Sequence, residues 1–178
     1  MNTKQLRISF WLSVIISFAS LAPLGMIDSH LKNALSPLGI VSFEFCAYQS
    51  NCEPIVASWT GTAHSMAAMS LGLDYLFMLA YSAAICFGLL LAAPNLPSAL
   101  QRLALLFAWG IWIAGGADAI ENYHLFQMLL GQPVAAHQWG AAAAATIKFA
   151  IVVPALVVWL LATLWPRLSS GQSRKTTT

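Results

Sequence analysis

The chain has 178 residues, of which 59% are hydrophobic and 8% are charged, and its formal net charge is +2. Soluble domains are about 45–50% apolar and about 25% charged, so this composition excludes a soluble globular enzyme, a disordered chain and a nucleic-acid-binding protein. A membrane-spanning helix needs about 20 mostly apolar residues. The chain length therefore predicts four spans with short connections and no separate soluble domain.

The first predicted span covers residues 8–27, a run without charged side chains that begins after Arg7 and ends before Asp28. A basic start followed by an apolar run is also typical of a signal peptide. However, this run is longer than a usual signal core, and Pro23 directly follows the one suitable small-residue motif, Ser20–Ala22. We therefore predict that the segment remains in the protein as a transmembrane helix.

The longest predicted connection lies between the first two spans, over about residues 28–64. Asn51 or Cys52 can cap a short helix that has Pro54 in its first turn, and such a helix would lie along the membrane interface. Cys46 and Cys52 both belong to this loop. On the extracytoplasmic side they can form a disulfide, and two free thiols are the alternative.

The remaining spans are predicted over residues 65–93, 103–130 and 139–165, so that residues 1–168 form one transmembrane domain. The spans end at turn-forming or helix-breaking residues: Pro94 and Pro97, then Gly131 and Pro133, then Pro166. The Ser/Thr-rich tail, residues 169–178, is predicted to be disordered. Within the fourth span, the run Ala141–Ala145 predicts a helix-packing surface, because small side chains let helices approach closely in lipid.

Orientation follows from the basic residues, because Lys and Arg near span ends are retained on the cytoplasmic side. Six of the eight Lys and Arg residues fall on one side of a four-span protein: Lys4, Arg7, Arg102, Arg167, Arg174 and Lys175. Lys32 falls on the other side. We therefore predict a multi-pass protein of a bacterial inner membrane with both termini in the cytoplasm.

Four charged residues lie inside the predicted spans: Asp74, Asp118, Glu121 and Lys148. A charge at the bilayer centre costs at least about 2.5–3.5 kcal/mol, so such residues are retained for a structural or functional reason. Counting about 1.5 Å per residue from the outer end of each span places all four roughly 12–16 Å deep. The sequence therefore predicts one polar cluster in the outer half of the bundle.

The predicted cluster is unbalanced in charge. Three carboxylates, Asp74, Asp118 and Glu121, face the single ammonium of Lys148, which leaves a formal charge of −2. In a medium of low dielectric constant, such an excess requires protonated carboxyls, a bound cation or access of water. The alternative is that Lys148 pairs with Asp74 or Asp118 and only fixes the register of the helices.

Two histidine motifs have the spacing of metal ligands. Glu121 and His124 lie three residues apart on one predicted helix, and Asp28 and His30 flank Ser29. Carboxylate-bridged sites use the helical motif twice, whereas this chain has it once, and haem would need a second histidine at matched depth. We therefore predict no cofactor and keep a metal ion at these residues as an alternative to interfacial histidines.

Several segments resemble a group of small bacterial four-span membrane proteins whose function is not established. The resemblance extends over about residues 40–150, and the shared residues are Phe43-Glu44, Trp59, Leu71–Phe77, Tyr81, Asp118–Asn122 and Ile147–Phe149. It implies the four-span fold and the placement of the acids, the asparagine and the lysine. Histidines are not part of the shared pattern.

The fold class that we predict is all-α: a polytopic membrane protein built as a four-helix transmembrane bundle, with an extracytoplasmic loop that carries a short interfacial helix. The leading functional hypothesis is binding or transport of a small molecule, a proton or a cation. In that hypothesis Lys148 is the counter-ion, Asn122 and Tyr81 orient the ligand, and Glu44 gates the site from the loop. The carboxylates of the site are Asp74, Asp118 and Glu121.

Two other classes of function remain open at the level of the sequence. One is an accessory or assembly subunit, in which the alanine-rich face meets a partner membrane protein or a second copy of the chain. The other is a membrane-embedded enzyme that uses a metal ion or acts on a lipid or quinone. Motifs of nucleophilic catalysis are missing from the sequence, which favours a protein that is not an enzyme. We expect the protein to contact the lipid bilayer and to have no nucleic-acid partner.

Overall fold

The computed structural model describes residues 2–173, and the side chains of residues 2–165. Within these residues the chain is helical and has no strand. Four helices are long and apolar enough to cross a membrane: α1 (Thr3–Asp28), α5 (Thr62–Ala92), α6 (Ser98–Leu129) and α7 (Val134–Ser173). The prediction of an all-helical, multi-pass protein with four spans is confirmed at this level.

The first helix begins five residues before the predicted apolar run, because polar residues cap it. The Asn2 side chain accepts a hydrogen bond from the Gln5 amide at 2.9 Å, and the Gln5 side chain accepts one from the Asn2 amide at 3.0 Å. Inside the span, the hydroxyls of Ser17 and Ser20 donate to carbonyls one turn earlier. These local bonds satisfy polar groups that lipid would leave without partners.

The connection between α1 and α5 folds into three short helices, where one was predicted. They are α2 (Ile40–Glu44), α3 (Cys46–Gln49) and α4 (Cys52–Ser58). The predicted helix corresponds to α4, although the side chain of Asn51 makes no capping bond. Cys46 and Cys52 form a disulfide that ties the start of α3 to the start of α4.

An apolar core holds these short helices against one end of the bundle, which we call the loop end. Trp59 and Phe43 pack edge to face with ring centroids 5.2 Å apart, and the Trp59 indole donates to the Leu31 carbonyl at 2.9 Å. The same core includes Leu71 of α5 and Leu125 of α6. The opposite end carries the start of α1 and the turn after α5, and we call it the terminal end.

The long helices pack in chain order: α1 on α5, α5 on α6, and α6 on α7. The alanine run belongs to the α6–α7 contact, because Ala141 and Ala142 are buried against Leu125 and Met128. By contrast, within the described part of the chain α1 and α7 have no extensive backbone contact. At the terminal end Phe10 meets Trp159 of α7, with ring centroids 5.9 Å apart. The bundle is therefore open along one side, between its first and last helices.

Several boundaries differ from the predicted ones. The fourth span was predicted over residues 139–165, but α7 begins at Val134 and continues to Ser173. The predicted span ended before Pro166, because proline usually terminates a helix. A helix with enough other hydrogen bonds nevertheless continues through a single proline with a local bend. The helix thus covers the first five residues of the predicted disordered tail, and residues 174–178 lie outside the described residues.

Candidate functional site

The side chain of Lys148 lies at the centre of a buried ionic group. Its Nζ lies 2.8 Å from Glu121 Oε2, 3.2 Å from Asp118 Oδ1 and 3.4 Å from Glu44 Oε2. These three acids and the lysine are all buried. Together with Asp74, described below, we call them the charged cluster. Of the two predicted partners of Lys148, the structure pairs it with Asp118.

Asp118 uses both of its carboxyl oxygens. While Oδ1 faces Lys148, Oδ2 accepts a hydrogen bond from the Tyr81 hydroxyl of α5 at 2.9 Å. Glu121 lies one turn further along α6 and is fully buried, and its Oε1 has no hydrogen-bond partner among the described residues. The helical spacing of Asp118 and Glu121 therefore brings both acids to the same ammonium.

Asp74 belongs to a second pair at the edge of the cluster. Its Oδ2 accepts a hydrogen bond from the Asn122 side-chain amide at 2.7 Å, and the residue is half-buried. No described ion pair joins Asp74 to Lys148. Asp74 is consequently the carboxyl of the charged cluster that has no described ion pair with the lysine.

Glu44 is the member that sequence reasoning underestimated. The sequence analysis placed it in the loop as a gate, whereas the structure buries it in α2 and joins it to Lys148. Three carboxyl groups thus contact one ammonium and that of Asp74 lies at the edge of the cluster, so the formal charge with every group ionised is −3. The predicted value of −2 counted only the charged residues inside the spans and left out Glu44. Burial raises the pKa of Glu44 above its usual value, although Lys148 opposes that shift.

A local turn directs Glu44 into the bundle. Gly39 has a φ of 59°, a backbone conformation that favours glycine, and it stands at the start of α2. The carboxylate of Asp28, at the end of α1, accepts a hydrogen bond from the Ile40 amide at 2.8 Å. These two features turn the chain back across the loop end. The pair Phe43-Glu44 in the resemblance was the one sequence signal that pointed to this residue.

A cavity of about 550 Å³ begins at the charged cluster and extends along the open side of the bundle. Glu44, Asp74, Asp118, Asn122 and Lys148 line its polar end, and Asp28 and Tyr81 also contribute. Apolar side chains line the rest of it: Val14, Phe18, Leu21 and Leu24 of α1, Phe77 and Ile85 of α5, and Val152, Leu156 and Trp159 of α7. The cavity can therefore hold a molecule with one polar end and one apolar end.

The histidines and their acidic neighbours do not assemble around one point. His124 Nδ1 lies 3.0 Å from His137 Nδ1, while Glu121 faces Lys148. Asp28 pairs with Lys32 at 3.1 Å, and His30 is exposed. Among the residues whose side chains are described, no group of three or more His, Cys, Asp and Glu side chains is placed to hold a metal ion.

Comparisons of the chain with protein-family models, with curated proteins and with solved structures found no match.

Proposed function

We propose that this protein is a membrane-embedded binding protein for a small, positively charged organic molecule, and that such binding is one step of a transport cycle. The observation that carries the proposal is a cavity between α1 and α7 whose polar end is the charged cluster. There three carboxyl groups contact a single ammonium, and a fourth, that of Asp74, accepts a hydrogen bond from Asn122. A ligand cation would reduce this excess of negative charge, which is costly in a low-dielectric interior.

Asp74 is the group that we propose binds the ligand cation. Lys148 is already in contact with Glu44, Asp118 and Glu121, whereas the described partner of Asp74 is the neutral amide of Asn122. Asp74 also lines the cavity. In this arrangement Asn122 and Tyr81 hold the two aspartates in place, and Lys148 is the resident counter-ion.

The apolar length of the cavity favours an organic cation over a proton or a metal ion. A small hydrated cation gains nothing from walls formed by Phe18, Phe77 and Leu156. An aliphatic amine is compatible with both ends of the cavity, because its ammonium faces carboxylates and its chain exchanges lipid for apolar side chains. The edges of the opening, Phe18, Leu21 and Leu156, are partly exposed and would face lipid. We therefore propose that the ligand arrives from the bilayer.

We further propose that the loop end faces the extracytoplasmic side of a bacterial inner membrane and that both termini are cytoplasmic. Lys4, Arg7 and Arg102 support this orientation, because they lie at the terminal end and basic residues are retained in the cytoplasm. The disulfide between Cys46 and Cys52 lies at the loop end, and such bonds persist in oxidising compartments.

The alternative of an accessory subunit rested on the alanine-rich face of the fourth span. Ala141, Ala142, Ala144 and Ala145 are buried within the chain, against α6 or its neighbours. No feature of the described residues therefore favours a partner on that face, and we do not develop this function further.

Binding of dodecylamine to the purified protein in lipid nanodiscs tests the proposal. We expect the amine to bind more tightly than dodecanol or dodecanoate, which have the same chain but lack the cation. Asp74→Asn should lower the affinity for the amine about 10-fold or more, because a hydrogen bond to a charged group contributes about 1.5–3 kcal/mol. Glu53→Gln, which removes an exposed carboxylate outside the cavity, should leave the affinity unchanged.

Either of two results would contradict the proposal. Equal affinities for the amine, the alcohol and the carboxylate would show that the carboxyl excess does not select a cation. An unchanged affinity for dodecylamine in correctly folded Asp74→Asn would exclude Asp74 as the binding group.

A further inference from the structure

The terminal end of the cavity is closed by aromatic side chains from opposite sides of the opening. Trp159 of α7 lines the cavity there and packs edge to face against Phe10 of α1. Over the rest of their described lengths the two helices have no extensive backbone contact. Trp159 therefore forms a floor at the point where the gap between α1 and α7 is bridged.

Gly88 of α5 leaves the space in which Trp159 packs at this position. A Cβ atom added at Gly88 would lie 2.6 Å from Trp159 Nε1 and 3.1 Å from Phe10 Cε2, and both distances are shorter than normal contacts. The absence of a side chain at Gly88 thus allows both rings to pack directly on α5. Packing on the backbone from one side and on Phe10 from the other restricts the indole to its place at the end of the cavity.

The distance from the charged cluster to the floor sets a length scale. Asp74, which we propose binds the ligand cation, and Gly88, on which the Trp159 indole packs, are fourteen residues apart on α5. A rise of 1.5 Å per residue separates the two by about 21 Å. Carbon–carbon bonds of about 1.5 Å advance an extended alkyl chain by about 1.25 Å per carbon. The space between cluster and floor therefore corresponds to a straight chain of about 17 carbons.

We propose that the ligand is a single-chain aliphatic amine and that Trp159 limits the length of its chain. This inference rests on the proposed function. Methylene groups gain little when they move from lipid into an apolar cavity, since the two environments are similar. The affinity measured relative to the lipid phase should therefore change little up to about 17 carbons. Beyond that length the chain would meet the Trp159 indole, and the affinity should fall.

A series of unlabelled n-alkylamines with 8 to 22 carbons, competing with radiolabelled dodecylamine in nanodiscs, tests the limit. In the unmodified protein we expect similar affinities up to about 17 carbons and a loss of 10-fold or more by 22 carbons. Trp159→Ala should restore the binding of the 22-carbon amine, and Trp159→Phe should restore part of it. Trp109→Ala is the matched control, because Trp109 is exposed on α6 outside the cavity.

The outcomes separate this inference from the proposed function. If amines of every length bind equally well, the alkyl chain of the amine leaves the cavity through the lateral opening, and Trp159 does not limit its length. If a length limit exists but Trp159→Ala and Trp159→Phe leave it unchanged, another group sets that limit. Either of these two results overturns the inference but leaves amine binding intact. If no amine binds to the unmodified protein, the proposed function itself fails.

Discussion

Lys148 is the side chain on which the buried acids depend. Its ammonium is within 3.4 Å of Glu44, Asp118 and Glu121, so one cation stabilises three carboxyl groups from two different parts of the chain. Its removal would leave those groups without a counter-ion in a medium of low dielectric constant. The loss would weaken the packing of α2, α6 and α7 on one another, because each of them contributes a charged group.

Replacement of Lys148 by Met should lower the free energy of unfolding by about 3–5 kcal/mol, the usual cost of removing one partner from a buried ion pair. The loss should become smaller as the pH falls, because protonation removes the uncompensated carboxylate charges. Denaturant unfolding of the protein in detergent micelles, followed by circular dichroism between neutral and acidic pH, measures both effects.

The matched control is Lys32→Met. Lys32 pairs with Asp28 at 3.1 Å but is 53% exposed, so its removal should cost less than about 1 kcal/mol. If the two variants lose the same stability at neutral pH, the charged cluster does not depend on its lysine.

Counting residues along the predicted spans was sufficient to find most of the cluster. Asp118 and Glu121 are close in sequence on one helix, and their predicted depth matched that of Lys148, which the structure brings to both. Glu44 could not be placed in this way. Its position depends on the turn at Gly39 and on the hydrogen bond that the Ile40 amide donates to Asp28. These are features of the loop rather than periodic features of a helix.

At the scale of elements, the short helices α2, α3 and α4 position one acid of the site although they do not cross the bundle. Their hydrophobic residues, among them Phe43 and Ile55, are buried against the ends of the long helices. Sequence reasoning found α4 because Pro54 stands in its first turn. It missed α2 and α3, which have five and four residues and are stabilised by tertiary packing more than by helix propensity.

The disulfide within this loop should contribute about 2 kcal/mol to the stability of the folded loop. Cys46 and Cys52 are six residues apart, and closing so short a loop removes little entropy from the unfolded chain. Substitution of both residues by Ser should therefore lower the unfolding free energy by about 2 kcal/mol and leave the long helices intact. Chemical denaturation measures the loss of stability. Thiol labelling before and after reduction tests whether the disulfide is present.

Cys86→Ser is the control for the loss of a sulfur atom, because Cys86 is a buried free thiol in α5. Its substitution should leave the yield of labelled thiols from the loop unchanged after reduction. If Cys46 and Cys52 react with the thiol reagent in the unreduced protein from native membranes, the disulfide is not formed there, and the proposed orientation loses that support.

At the scale of the whole molecule, the order of helix packing explains why the site is open. Each long helix packs on its neighbour in the sequence, but the first and last helices do not close the ring. The four spans themselves were predictable from hydropathy and length. The opening was not, because hydrophobic side chains that line a cavity and those that face lipid have the same composition, so their pattern in the sequence cannot distinguish them.

Gly25 offers a way to block this opening without disturbing the packing. It lies in α1 on the lining of the cavity, is exposed, and has no atom within 4 Å of the position of an added Cβ. A phenylalanine there should occupy the route to the polar end of the cavity and lower the affinity for dodecylamine about 10-fold or more. Because glycine destabilises a helix interior by about 0.5–1 kcal/mol relative to alanine, Gly25→Phe should not reduce the stability of the protein.

Gly72→Phe separates obstruction from any general effect of the new side chain. Gly72 lies in α5, is exposed, also has free space around an added Cβ, and does not line the cavity. Binding measurements in nanodiscs and thermal unfolding of both variants should therefore show equal stability but a loss of amine affinity in Gly25→Phe alone. If Gly25→Phe binds dodecylamine as tightly as Gly72→Phe does, the ligand does not pass between α1 and α7, and the open side of the bundle is simply a surface that lipid covers.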